Sequence, residues 1–113
     1  MAEVKLQMVT MAPVTVTTAG TRVPLTGSSL KVSYLIIQKH ETNADVIYIG
    51  DSSVDSSNGI VIGSSLPSLV MSADDTEADE DKCYFDLSEI YIDAASNGDK
   101  VRIAYIKQVS TTY

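Results

Sequence analysis

Residues Asp45 to Gly63 read D-V-I-Y-I-G-D-S-S-V-D-S-S-N-G-I-V-I-G, and this stretch decides the fold class. Val46, Ile47, Tyr48 and Ile49 are a short run of β-formers that stops at Gly50-Asp51, and Ile60, Val61 and Ile62 are a second run launched by Asn58-Gly59. Gly50 has access to positive φ and Asn58-Gly59 tolerates the left-handed region, so a polar loop with turn chemistry at both ends ties two strands. The unit is echoed later, where Ile90-Tyr91-Ile92-Asp93 is followed by Ser96-Asn97-Gly98 and the run Val101-Arg102-Ile103-Ala104-Tyr105-Ile106. Gly50, Asp51, Asn58, Gly59, Asn97 and Gly98 are therefore the expected structural turn residues.

The flanking chain has the same grammar. Val14 to Thr17 alternates β-branched residues, and Arg22-Val23-Pro24-Leu25 is an extended piece that Pro24 confines to a sheet edge. Leu30 to Gln38 alternates at Leu30, Val32 and Tyr34 and is then apolar through Ile37, which predicts a central strand passing from one buried face to two. Lys39 to Ala44 reads as a polar turn with His40 solvated in it, and Ser68 to Ser72 as a short strand. Asp86 to Glu89 predicts a break or one helical turn capped by Asp86 or Ser88, and Lys100 to Gln108 a strand with Val101, Ile103 and Tyr105 inward. Seven or eight short strands and no convincing long helix predict an all-β domain, an antiparallel β-sandwich or small, jelly-roll-like barrel. Residues 1–113 read as a single domain, with 1–13 as an edge strand or as an arm whose Leu6, Met8, Val9 and Met11 are the candidate partner contacts.

Composition and charge narrow the function classes. A net charge of −7 argues against nucleic acid as a partner, because phosphate binding relies on clustered Lys and Arg. The N-terminus lacks the pattern of a signal peptide, and no stretch approaches a membrane span, so no membrane partner is expected. Cys83 is the only cysteine, which excludes an intrachain disulfide, and beside Tyr84 and Phe85 it reads as a small buried apolar residue. The acidic run Asp74 to Asp81 lacks the ligand spacing and bend glycine of a calcium loop, as does Asp51 to Gly59, so both read as solvated loops. With one His, no Cys/His metal spacing, no Gly-rich phosphate loop and no Trp platform for a sugar beside paired acids, the expectation is no enzyme, no catalytic residues, no metal and no cofactor.

The strand and turn motifs Ile47-Tyr48-Ile49-Gly50-Asp51, Ser57-Asn58-Gly59-Ile60, Asp86-Leu87-Ser88-Glu89-Ile90-Tyr91-Ile92 and Gly98 to Tyr105 resemble those of small β-sandwich structural proteins of tailed bacteriophages. In these an I-Y-(I/V)-G strand, an S-N-G-I turn and a D-L-S-x-I-Y strand recur near a C-terminal hairpin. The resemblance covers roughly residues 14 to 107, with the acidic run standing where the family has a Gly-Asp or Gly-Glu apolar segment. It implies a virion component made in the host cytoplasm, a capsid decoration or cement protein that binds the major capsid protein as a homo-oligomer, with a trimer favoured by threefold lattice sites. Other classes share the fold: a tail, baseplate or fibre-adaptor protein, or a carbohydrate-binding module using Tyr34, Tyr48, Tyr84, Tyr91, Tyr105 or Tyr113 as stacking faces.

Overall fold

The inward alternation of Val101, Ile103 and Tyr105 opens the longest strand, and the large sheet is assembled on it. The computed structural model describes residues 2–73 and 84–112. Asp74 to Asp81, Cys83 and Tyr113, with the expectations placed on them, lie outside the described residues. Eleven strands are present among these: β1 (Ala2–Thr10), β2 (Val14–Thr15), β3 (Val23–Pro24), β4 (Lys31–Val32), β5 (Tyr34–Lys39), β6 (Ile47–Gly50), β7 (Ile60–Ile62), β8 (Ser68–Ser72), β9 (Phe85–Asp86), β10 (Tyr91–Ala94) and β11 (Lys100–Thr112). The large sheet has the order β1-β11-β5-β8, with β2 also on β11, and the smaller has the order β3-β10-β6-β7. Every pairing is antiparallel. The fold is thus the expected all-β sandwich, with more than the seven or eight strands expected, because short extended pieces pair separately and breaks interrupt the chain between them.

Two of those breaks matter. Thr10 pairs with Ala104 but Val14 with Val101, so one extra residue sits on the edge strand around Met11–Pro13, a bulge that accommodates Pro13. The second corrects the reading of Leu30 to Gln38. Val32 and Leu35 are both buried although three residues apart, so the alternation slips at Ser33–Tyr34, where the chain leaves β4 for β5. Beyond the slip Leu35 and Ile37 point into the core, while Tyr34 and Ile36 are only half-buried, on the opposite face. The continuous apolar run therefore marks an apolar outer face and not a strand buried on both sides.

The core lies between the sheets. Leu35, Ile37, Val101, Ile103 and Tyr105 come from the large sheet, and Ile47, Ile49, Ile62, Ile92 and Ala94 from the small one. Each fully buried Leu or Ile contributes about 1.5–3 kcal/mol relative to exposure, so these rows supply the main stabilising term. β4 pairs with β9 at the point where each chain segment enters its own sheet, which laces the two layers together. A single 3-10 turn, Leu87–Glu89, follows β9 as expected, with Asp86 as its cap.

The turns combine glycine geometry with carboxylate anchors. Gly59 and Gly98 have φ of +137° and +82°, but Gly50 does not take positive φ. Gly50 is needed for space instead, since a Cβ there would stand 3.1 Å from Val54 Cβ. Asn58 is not left-handed either; its N–H and C=O bond Asp55 in a two-residue bridge. The loop is not wholly polar, for Val54 is 1% exposed beneath it. The later echo is not a hairpin: β10 belongs to the small sheet and β11 to the large one, so the turn between them carries the chain across the sandwich. Asp86 accepts from the hydroxyls of Ser29 (2.6 Å) and Ser88 (2.8 Å) and from the backbone N–H of Ser88 and Leu30. These bonds, the Ser29 hydroxyl first, hold its carboxyl well below the usual carboxylate range.

Gly98→Ala is expected to cost about 1–2 kcal/mol for left-handed backbone alone. Gly59→Ala should cost at least about 1 kcal/mol more, because its Cβ would meet Val54 Cγ2 at 2.7 Å and Ile49 O at 2.8 Å; urea denaturation of both variants checks the order. Asp86 and Glu41 are both depressed in the fold, Glu41 from the ordinary 4.5 to about 2 through the Arg102 hydrogen bonds. A depressed acid stabilises the fold fully above its unfolded value and loses that contribution as the pH falls toward its folded value. The urea midpoint should hold down to about pH 5 and fall between there and pH 2, with the loss visibly smaller in Asp86→Ala.

Candidate interaction surfaces

β1 and β11 run together well past the rest of the molecule. β11 pairs with β5 only from Val101 to Ile106, whereas its pairing with β1 continues to Ala2 opposite Thr112. Residues 2–7 and 107–112 are therefore a two-stranded ribbon outside the sandwich, roughly 20 Å long at the usual rise per residue. The molecule measures 51 × 26 × 25 Å with a radius of gyration of 15.3 Å, against about 13 Å for a compact chain of this length. The projection accounts for the excess.

The ribbon divides the four candidate contact residues. Leu6 and Met8 are 64% and 60% exposed. Val9 and Met11 are half-buried against the core, so they are committed within their own chain. The outer edge of β1 pairs with no strand among the described residues. Of the other sheet edges, β3 carries Pro24, β7 has only three residues and β8 has five. β1 is nine residues long and has no proline, which makes it the long open edge of the molecule.

The outward face of the large sheet is a second surface. Register places Met8, Ile106, Tyr34 and Ser72 in one row across the strands, and Thr10, Ala104, Ile36 and Val70 in the next. A third row holds Arg102, Gln38 and Ser68. Val70 is 52% exposed. None of these apolar residues packs on the core, whereas Leu69 and Met71, their neighbours on the inward side, do. A shallow hollow of about 220 Å³ opens on this face between Thr10, Ile36, Gln38 and Ala104.

At the polar end of that face, Arg102 makes two bonds to Glu41, of 3.0 and 2.6 Å. Beside them, the expectation of a solvated His40 is overturned: the residue is 9% exposed. Its Nδ1 accepts from the Thr42 backbone N–H at 3.2 Å and lies 2.8 Å from the Thr42 hydroxyl, and its N–H donates to Lys100 O. Turn compositions read as polar cannot reveal such burial, because the covering strand, β11, lies some sixty residues away. Asn43 adds a bond to each backbone group of Lys100, and Asp99 accepts from the N–H groups of Ala44 and Asp45. Asn97 and Asp93 likewise accept from Ala19 and Gly20. These residues are structural.

The tyrosines do not gather. Tyr105 is in the core, Tyr34 is on the outward face of the large sheet, and Tyr84 is exposed with Lys31 Nζ 4.8 Å from its ring centre. Tyr48 and Tyr91 line two separate open clefts of about 380 and 480 Å³, Gly20 bordering both. Among the described residues no three His, Cys, Asp or Glu side chains are grouped to hold a metal ion, and no helix is long and apolar enough to cross a membrane. No family model, curated protein or solved structure matches this chain.

A two-stranded ribbon without a covering layer is marginal in water. Hydrogen exchange on protein diluted until it is a single chain should therefore give residues 2–7 and 107–112 opening free energies well below those of Val101 to Tyr105 on the same strand. Equal protection along β11 would show that something covers the ribbon in solution.

Proposed function

We propose that this chain is a non-enzymatic structural protein of a tailed-bacteriophage virion, a capsid decoration or cement protein seated on the lattice of the major capsid protein. The projecting β1–β11 ribbon, with the long open edge of β1, is the observation that carries this reading. A protein that fastens a lattice must reach past its own core onto a neighbour, and an open strand edge offers main-chain hydrogen bonds for that contact without a preformed pocket. Strand and turn motifs shared with small phage sandwich proteins support the same class. A sandwich braced by carboxylate-capped turns is also suited to a passive, rigid role. The carbohydrate-binding reading is weaker, because Tyr48 and Tyr91 line separate clefts and form no common platform.

The test is co-sedimentation with shells assembled from the major capsid protein of the same phage. The full chain is expected to bind at a copy number comparable to that of the capsid protein, and a chain lacking residues 2–8 to bind at least tenfold more weakly while keeping its far-ultraviolet circular dichroism. Failure of the full chain to bind, or equal binding by the shortened one, overturns the reading. A few copies per purified virion, located on the tail, would replace it with the tail or baseplate assignment.

A further inference from the structure

The outward face of the large sheet is apolar where a solvated face would be polar. Antiparallel sheets with one side in water normally alternate apolar inward with polar outward, yet the outward positions of β5 include Tyr34 and Ile36, and those opposite them include Met8, Ile106, Ala104 and Val70. Tyr34, Ile36 and Ile106 are half-buried, yet none of them packs on the core. The sequence keeps this face apolar at the expense of solubility.

We propose that this face is covered by the same face of a second copy of the chain, forming an isologous dimer. Three features select that occupant. The first is charge. The chain carries −7 overall, but the three rows contain no carboxylate, and their one cation, Arg102, is already held by Glu41. Two copies approaching through this face avoid the self-repulsion that an acidic surface imposes elsewhere. The second is area. Four strands about 4.8 Å apart and five residues long present roughly 300–350 Å², and one side of the ribbon adds about 200 Å². Two such faces together remove on the order of 1,000 Å² from water, where specific association begins. The third is shape. A hollow of about 220 Å³ lined in part by Thr10, Ile36 and Ala104 opens on this face, and Val70 and Met8 are exposed on the same face, so a flat face need not meet another flat face.

Face-to-face contact of this kind closes at two copies, unlike the trimer that threefold lattice sites suggest. The proposal concerns the free protein and does not depend on where in a particle it works. Val70 lies on β8, at the far edge from the ribbon proposed to grip the capsid, so the two ideas fail separately.

Light scattering coupled to size exclusion at about 50 μM is expected to give twice the 12.1 kDa chain mass. Val70→Glu and Met8→Glu, which alter exposed side chains on opposite strands of the same face, should each raise the dissociation constant at least tenfold and give the single-chain mass. Lys107→Glu, opposite Gln7 on the other side of the ribbon, should leave the mass doubled. Circular dichroism of each variant establishes that it is folded, and Val70→Glu should still sediment with capsid shells. A wild-type monomer, a threefold mass, or a dimer that both glutamate variants leave intact would each overturn the proposal.

Discussion

The carboxylate of Asp99 joins parts of the chain that would otherwise have no reason to meet. It is 4% exposed, and its two oxygens accept from Ala44 and Asp45 while its backbone C=O accepts from Val16. A carboxyl group withdrawn from water is costly unless it finds hydrogen-bond partners, and here each of its oxygens accepts from a backbone N–H at 2.9 Å. The result is a fixed starting point for β11. From it the alternation of Val101, Ile103 and Tyr105 sets which residues of β1 and β5 face inward, and a slip of one residue would turn every one of them over. The core rows depend on that register.

Much of this was legible in the linear chain, and what was not has a physical cause. The hairpin of β6 and β7, the edge placement of Val23–Pro24, the turn capped by Asp86 and the inward set of β11 all follow from local pattern, because period and capping are properties of a few consecutive residues. The slip at Ser33–Tyr34 and the burial of His40 escape a local reading for the opposite reason. Their environment is made by β11 and by the segments following Pro67, far away in sequence. A run such as Leu35-Ile36-Ile37 has the same composition whether its second face meets a helix, another sheet or nothing. Only the register shows that Ile36 shares a row with Ala104 and Val70 and lies outside the core. Gly50 shows a subtler limit: the need for glycine was visible, but it arises from the closeness of Val54 rather than from the backbone angle.

The candidate surfaces were half legible. Leu6 and Met8 stood out as apolar residues near a terminus, yet nothing local separates them from Val9 and Met11, which pack on the core. The bulge around Met11–Pro13 and the pairing with β11 decide which is which. No grouping of reactive side chains was read from the sequence, and the geometry directs attention to edges and faces instead.

The pairing of Ala2 with Thr112 also bears on how the molecule is made. β1 finds its partner only once residues 104–112, roughly one hundred positions further on, have been made. At typical translation rates of about 5–20 residues per second, β1 waits roughly 5–20 seconds with its apolar positions uncovered. Pairings this distant in sequence also carry the largest loop-closure cost and slow folding. The ribbon thus waits on β11, the same strand whose inward row completes the core, so the core and the projection close together.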